Sequence, residues 1–182
     1  ALGDRLDKTA LGLPGDEATR MGPLASLDQR TEVRERIRDL LSDAEIVAGN
    51  PDNVRVTSGD ADKGAFLNPV LLYADDPFGA TAVHEVEAFG PVSTVLPYGS
   101  IEEAIELARL GKGSLVSSVF TDDPKVAEEV VIGVAPFHGR VLIGNSRSAK
   151  SSTGHGSPLA PLVHGGPGRA GGGEEMGGMR GV

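Results

Sequence analysis

The sequence contains no cysteine among its 182 residues. A disulfide is therefore impossible within this chain, and so is catalysis by a thiolate of its own. Aromatic residues make up only 4% of the chain, too few to build the stacking surfaces that bind single-stranded nucleic acid.

Long apolar runs and positive charge are also scarce. No window approaches the roughly 18 uninterrupted apolar residues of a membrane-spanning helix. The sequence begins at Ala1 rather than at a methionine and has no secretory signal, so we expect a piece cut from a longer, cytoplasmic protein. Its net charge of −9 argues against a partner that is a nucleic acid or an anionic membrane, because both need a clustered positive field. The acidic excess itself is typical of solubility.

The order of apolar runs predicts alternating strands and helices. Three helix starts are marked by capping boxes at residues 26–29 and 100–103 and by an Asp-Pro pair at residues 123–124. The predicted strands cover residues 44–48, 66–73, 92–96, 115–120 and 140–143. The first reads as buried, and Pro69 makes the second an edge strand or an irregular segment. Strand and helix in this alternation imply parallel pairing through right-handed crossovers, and hence a layered α/β domain.

The composition changes at residue 153. Eleven glycines fall within the last 30 residues, and such a stretch is costly to order as a helix. We therefore divide the chain into a folded part, residues 1–152, and a glycine-rich loop region or flexible end, residues 153–182. Composition alone favours disorder for the second part over a loop ordered by ligand or by further chain.

The segment HEVEAFGPVSTVLPY, residues 84–98, holds the most specific motif. Glu87 and Phe89 are two positions apart, so in an extended loop their side chains point to the same side. A carboxylate can accept hydrogen bonds from vicinal sugar hydroxyls, while a phenyl ring can pack on a heterocycle, which suits a ribose and its base. The alternative is a solvated acid beside a core phenylalanine.

Other chemistry is not indicated. The four histidines show no metal-ligand spacing, and His155 alone, between two glycines, is a candidate for lining a pocket. The glycine-rich end lacks the GxxxxGK[ST] pattern of a phosphate loop, and no strand leads into it as a dinucleotide fingerprint requires. No GxSxG elbow marks a serine nucleophile.

Five segments, in order, resemble the later part of the catalytic domain of the NAD(P)-dependent aldehyde dehydrogenases. They are MGPLAS (21–26), VEAFGPV (86–92), EEAIELARLGKGSLVSSVFTDD (102–123), GRVLIGN (139–145) and HGGPGRAGGGEEMGG (164–178). The resemblance covers most of residues 10–178 and implies a three-layer α/β domain with a mostly parallel sheet, here incomplete. It implies that residues 1–152 are a partial catalytic domain and that residues 153–182 are the glycine-rich loop region or flexible end of the same domain. The glycine-rich end and the STGHGSPL stretch are most similar to the aldehyde dehydrogenase part of ring-opening enzymes of phenylacetate catabolism.

This resemblance implies a function for the parent protein. Its cofactor would be NAD or NADP, with Glu87 at the nicotinamide ribose and Phe89 on the nicotinamide side. In the family, a cysteine thiolate attacks the aldehyde to give a thiohemiacetal, hydride transfer gives a thioester, and a glutamate-activated water releases the carboxylic acid. The family's cysteine precedes the MGPLAS segment, so the resemblance assigns no catalytic residue to this chain and implies that the chain alone is inactive. It also implies that the parent is a homo-oligomer.

Two other hypotheses remain open at this point. One is a non-catalytic α/β interaction module derived from the same fold, and the other is a small nucleotide-binding protein that uses its glycine-rich end. A start codon directly before Ala1 would favour the module, whereas an upstream segment with a cysteine would favour a fragment of an enzyme.

Overall fold

A computed structural model describes residues 1–152 and 165–171. The chain divides into two compact units, residues 1–97 and residues 98–182. The division falls inside the range 1–152, whose assignment to one partial catalytic domain stays a prediction. Most of the range 153–182 lies outside the described residues, and so does His155.

The first unit combines three helices with a three-stranded sheet. Its elements are α1 (Leu2–Asp7), α2 (Leu27–Leu40), β1 (Glu45–Ala48), β2 (Val70–Tyr73), α3 (Ala82–Glu85) and β3 (Val92–Val95). The strand order is β1-β2-β3, with β1 antiparallel to β2 and β2 parallel to β3. The short helices α1 and α3 are not predicted by the sequence patterns.

Two strand predictions in this unit are wrong in part: the first in its burial, and the second in the place of its strand within the sheet. Strand β2 is the central strand, not an edge, because it begins at Val70, after the proline, so that Pro69 removes no donor from its ladder. Residues 65–69 before it are irregular. Strand β1 is not buried on both faces: Glu45 and Val47 are exposed while Ile46 packs against the core, as expected for a strand at the edge of the sheet.

Helix α2 and strand β2 form the core of this unit. Val33, Ile37 and Leu40 follow one another at helical spacing and are almost completely buried, so that one face of α2 supplies half of the core cluster. The other half consists of Leu67, Val70 and Leu72. The predicted start of the helix is confirmed, since the Ser26 hydroxyl accepts a hydrogen bond from the Gln29 amide at 3.1 Å.

Where the structure describes it, residues 98–152 and 165–171, the second unit has two helices and a pair of parallel strands. Its elements are α4 (Ile101–Leu110), β4 (Ser114–Phe120), α5 (Pro124–Val134) and β5 (His138–Gly144), with short 3-10 turns at Ala135–Phe137 and Gly168–Ala170. The β4–β5 pairing is parallel, as predicted, and the helix starts at Ser100 and Asp123 are confirmed by their side-chain caps. Phe120, at the end of β4, is 77% exposed.

The α/β class predicted from the sequence is thus confirmed, with parallel pairing in both units. In the described part of the chain, no helix is both long enough and apolar enough to cross a membrane.

Candidate functional site

The loop between α3 and β3 alternates between the core and the solvent. Residue 86 follows the last residue of α3 with an extended backbone, at φ −96° and ψ 123°. Val86 and Ala88 pack against the core cluster, whereas Glu87 and Phe89 are exposed. The two outward side chains therefore lie on the same side of the chain, as the spacing predicts.

Hydrogen bonds hold the second half of this loop. The Pro91 carbonyl accepts a bond from the Val70 amide at 2.8 Å, which joins the loop to the central strand β2. The Phe89 carbonyl accepts a bond from Nε2 of Gln29 at 2.7 Å, which joins it to the first turn of α2. The loop that presents the two predicted side chains is thus tied to both elements that form the core.

Gly90 lies directly against helix α2. A Cβ atom at this position would stand 2.9 and 3.0 Å from the two methyl groups of Val33, closer than carbon atoms pack. Val33 is 1% exposed and β-branched, so it has little freedom to move away. A glycine is needed here because the backbone approaches the helix closely.

A shallow cleft of about 440 Å³ runs along this loop. Both predicted site residues line it, together with Leu24, Gln29, Ala88, Gly90 and Pro91. Phe89 is 72% exposed, so the alternative of a core phenylalanine is wrong. Within residues 1–152 and 165–171, the Glu87 carboxylate has no hydrogen-bond or ion-pair partner, which leaves its oxygens available to hydroxyl donors.

The two histidines of the described residues contact backbone carbonyls. Nε2 of His84 lies 2.7 Å from the Pro77 carbonyl oxygen, and Nδ1 of His138 lies 3.0 Å from that of Val134. No group of three His, Cys, Asp or Glu side chains suited to a metal ion occurs among the described residues. The remaining histidines, His155 and His164, lie outside them.

A polar cluster lies just after the carboxyl ends of strands β4 and β5. Oδ1 of Asp122 accepts hydrogen bonds from the Ser146 amide at 2.8 Å and from its hydroxyl at 2.9 Å. These two bonds, the amide first, lower the pKa of the Asp122 carboxyl, because they favour its charged form. The cluster therefore fixes the segment after β5 to the segment after β4.

Sequence reasoning missed one residue of the cleft. Gln29 is recognised there only as part of a capping box, and its Oε1 does accept a bond from the Ala25 amide at 3.0 Å. Its amide nitrogen Nε2, however, donates a hydrogen bond to the carbonyl of Phe89, sixty positions further along the chain. No local pattern carries that information, since the contact depends on how α3 and β3 pack against α2.

Comparison with known families identifies the class of protein. Residues 1–177 match the aldehyde dehydrogenase family, and the chain belongs to that family.

Relatives with solved structures share the fold. The chain is similar to betaine aldehyde dehydrogenase from Staphylococcus aureus, solved in complex with NAD+, with a TM-score of 0.77 and 28% identity over 93% of this chain and 31% of that one. An aldehyde dehydrogenase from Bacillus cereus gives a TM-score of 0.74 at 28% identity, over 93% of this chain and 30% of that one.

Curated relatives are more similar in sequence. Protein MaoC of Klebsiella aerogenes is 47% identical over 166 residues, which are 89% of this chain and 47% of that protein. The 3,4-dehydroadipyl-CoA semialdehyde dehydrogenase of Aromatoleum evansii is 38% identical over 167 residues, 92% of this chain and 32% of that enzyme. The chain thus spans about half of the length of the first relative and about a third of the length of the second.

Proposed function

We propose that this chain is part of an enzyme that oxidises an aldehyde to a carboxylic acid with NAD+ or NADP+. The observation that carries the proposal is the joint exposure of Glu87 and Phe89 at one cleft, on a loop fixed to the core. Family membership supports the reaction class. When bound, the nicotinamide supplies the acceptor for the hydride that leaves the substrate.

The residues of the cleft fit the nicotinamide half of such a cofactor. A carboxylate accepts hydrogen bonds at two oxygens, and the Glu87 carboxylate is exposed, so it suits the two neighbouring hydroxyls of a ribose. The exposed ring of Phe89 offers an apolar surface on the same side. Together they would orient the ring that receives the hydride, and alignment of reacting groups is a main source of rate enhancement.

The substrate we infer is an aldehyde that belongs to a CoA-linked route of aromatic degradation, as in the ring-opening enzymes of phenylacetate catabolism. Support comes from the similarity to an enzyme named for a CoA semialdehyde, together with the STGHGSPL stretch of the sequence. A homo-oligomeric parent protein and a cytoplasmic location are further proposals that rest on the family resemblance.

Cofactor binding to the full-length enzyme that contains this chain tests the proposal. Backbone amides of residues 86–92 are expected to exchange with deuterium more slowly when saturating NAD+ or NADP+ is present, because a bound ligand restricts opening of the loop. The internal control is helix α4, which has no part in the cleft. Cofactor binding without added protection at residues 86–92 would contradict the proposal.

The isolated chain is expected to be inactive. It contains no cysteine, so it cannot supply the thiolate that attacks the aldehyde in this family. Absorbance at the wavelength of reduced nicotinamide should stay at baseline when the purified chain is mixed with NAD+ or NADP+ and a panel of aldehydes. The full-length enzyme serves as the positive control, and turnover by the isolated chain would refute this expectation.

A further inference from the structure

We propose that Gln29 is a positioning residue that ties helix α2 to the loop carrying Glu87 and Phe89. This inference rests on the proposed function of that loop. Gln29 would act through the Phe89 backbone rather than on the reacting atoms, by holding the loop in the shape that meets the cofactor.

Both ends of the Gln29 amide are in use. Oε1 accepts a hydrogen bond from the Ala25 amide at 3.0 Å, and Nε2 donates one to the Phe89 carbonyl at 2.7 Å. Turning the amide over would set two donors against each other at Ala25 and two acceptors against each other at Phe89. The partners therefore fix the orientation of the side chain.

The choice of glutamine at this position is informative. A capping box accepts either glutamate or glutamine three residues after the cap, because both present an acceptor to the backbone. An ionised glutamate has no donor, so it would keep the bond to Ala25 but lose the bond to Phe89. Only the amide serves the helix start and the loop at the same time.

The bond joins the second half of the loop to the first turn of helix α2. Val86 and Ala88 anchor the first half of the loop in the core through their side chains. In the second half, the Gly90 amide donates to the Ala88 carbonyl at 2.7 Å, and the Val92 amide donates to the Gly90 carbonyl at 2.8 Å. These bonds join near neighbours only, whereas the Gln29 side chain links this half of the loop to helix α2. Fixing the Phe89 carbonyl fixes the peptide plane that follows the two cofactor-facing residues. A loop held in its binding shape has less freedom to lose when ligand arrives.

The test uses two variants of the full-length enzyme, Gln29→Glu and Gln29→Met. The first keeps the acceptor and loses the donor, while the second loses both and adds no charge to the cleft. Ser26→Ala is the matched control, because it removes a cap bond from the same helix end without touching the loop. Deuterium exchange is measured without cofactor at residues 86–92, and cofactor affinity is measured by equilibrium titration.

Both Gln29 variants are expected to speed exchange at residues 86–92 and to weaken cofactor binding about three- to tenfold, the effect of losing one hydrogen bond. Ser26→Ala should leave loop exchange and affinity as in the parent enzyme. The proposal that Gln29 ties the loop to α2 would be wrong if deuterium exchange at residues 86–92 were unchanged in the Gln29 variants. It would also be wrong if Ser26→Ala sped that exchange equally. Faster exchange with unchanged affinity would overturn the role of Gln29 in positioning. If Gln29 variants loosen the loop while Glu87→Gln alters nothing, the proposed function of the loop is wrong and the tie between Gln29 and the loop stands.

Discussion

Glu87→Gln in the full-length enzyme is expected to slow hydride transfer about 10- to 150-fold. The change keeps the shape of the side chain but removes the charge from its hydrogen bonds to the ribose, and bonds to a charged group contribute about 1.5–3 kcal/mol each. The rate of nicotinamide reduction in a single turnover reports this step directly. A deuterium isotope effect on the aldehyde hydrogen should rise at the same time, because hydride transfer becomes more limiting.

Glu85→Gln is the matched control for this experiment. Glu85 lies two residues earlier and carries the same charge, yet it does not line the cleft. Its variant should therefore react at close to the parent rate. Equal loss in both variants would indicate a general electrostatic effect, and an unchanged rate in Glu87→Gln would show that the residue does not contact the cofactor.

Gly90→Ala is expected to destabilise the protein by about 1–3 kcal/mol and to displace the cofactor-binding loop. The added methyl group would overlap Val33, and overpacking of a filled core has a cost of this size. Urea unfolding gives the change in the free energy of unfolding, and cofactor titration reports the displaced loop.

A second substitution isolates the cause. Val33→Ala alone should cost about 2 kcal/mol through the cavity that it leaves. The alanine at position 90 would partly fill that cavity. The double variant should therefore lose about 1 kcal/mol less unfolding free energy than the two single variants lose in total. Gly15→Ala is the control, since a Cβ there meets nothing within 4 Å. If the changes in unfolding free energy of Val33→Ala and Gly90→Ala were additive, the two positions would not be in packing contact.

Much of the fold could be predicted because its signals are local. The capping side chains of Ser26, Ser100 and Asp123 mark helix starts that the structure confirms. Apolar positions at helical spacing identify the buried face of α2, and the two-residue spacing of Glu87 and Phe89 predicts that they share a side. In each case, a few neighbouring residues contain the whole cause.

The features that could not be predicted depend on contacts between distant segments. Pro69 would have restricted β2 to the edge of the sheet only if the strand had included this proline. Where β2 begins depends on its pairing with the neighbouring strands. The place of β1 at the edge of its sheet is likewise a matter of strand order. The bond from Gln29 to Phe89 requires α2 and the loop to be packed already, so no spacing rule reveals it.

The pairing of β4 with β5 has a consequence for handling the isolated chain. In the part of the chain that the structure describes, this sheet has only two strands, so each leaves one row of backbone amides and carbonyls without a strand partner. Such open edges, next to the exposed ring of Phe120, are templates for edge-to-edge aggregation. We therefore expect the yield of soluble chain from bacterial expression to fall steeply with temperature and concentration. A lysine substituted in the middle of β4 or of β5 should raise that yield.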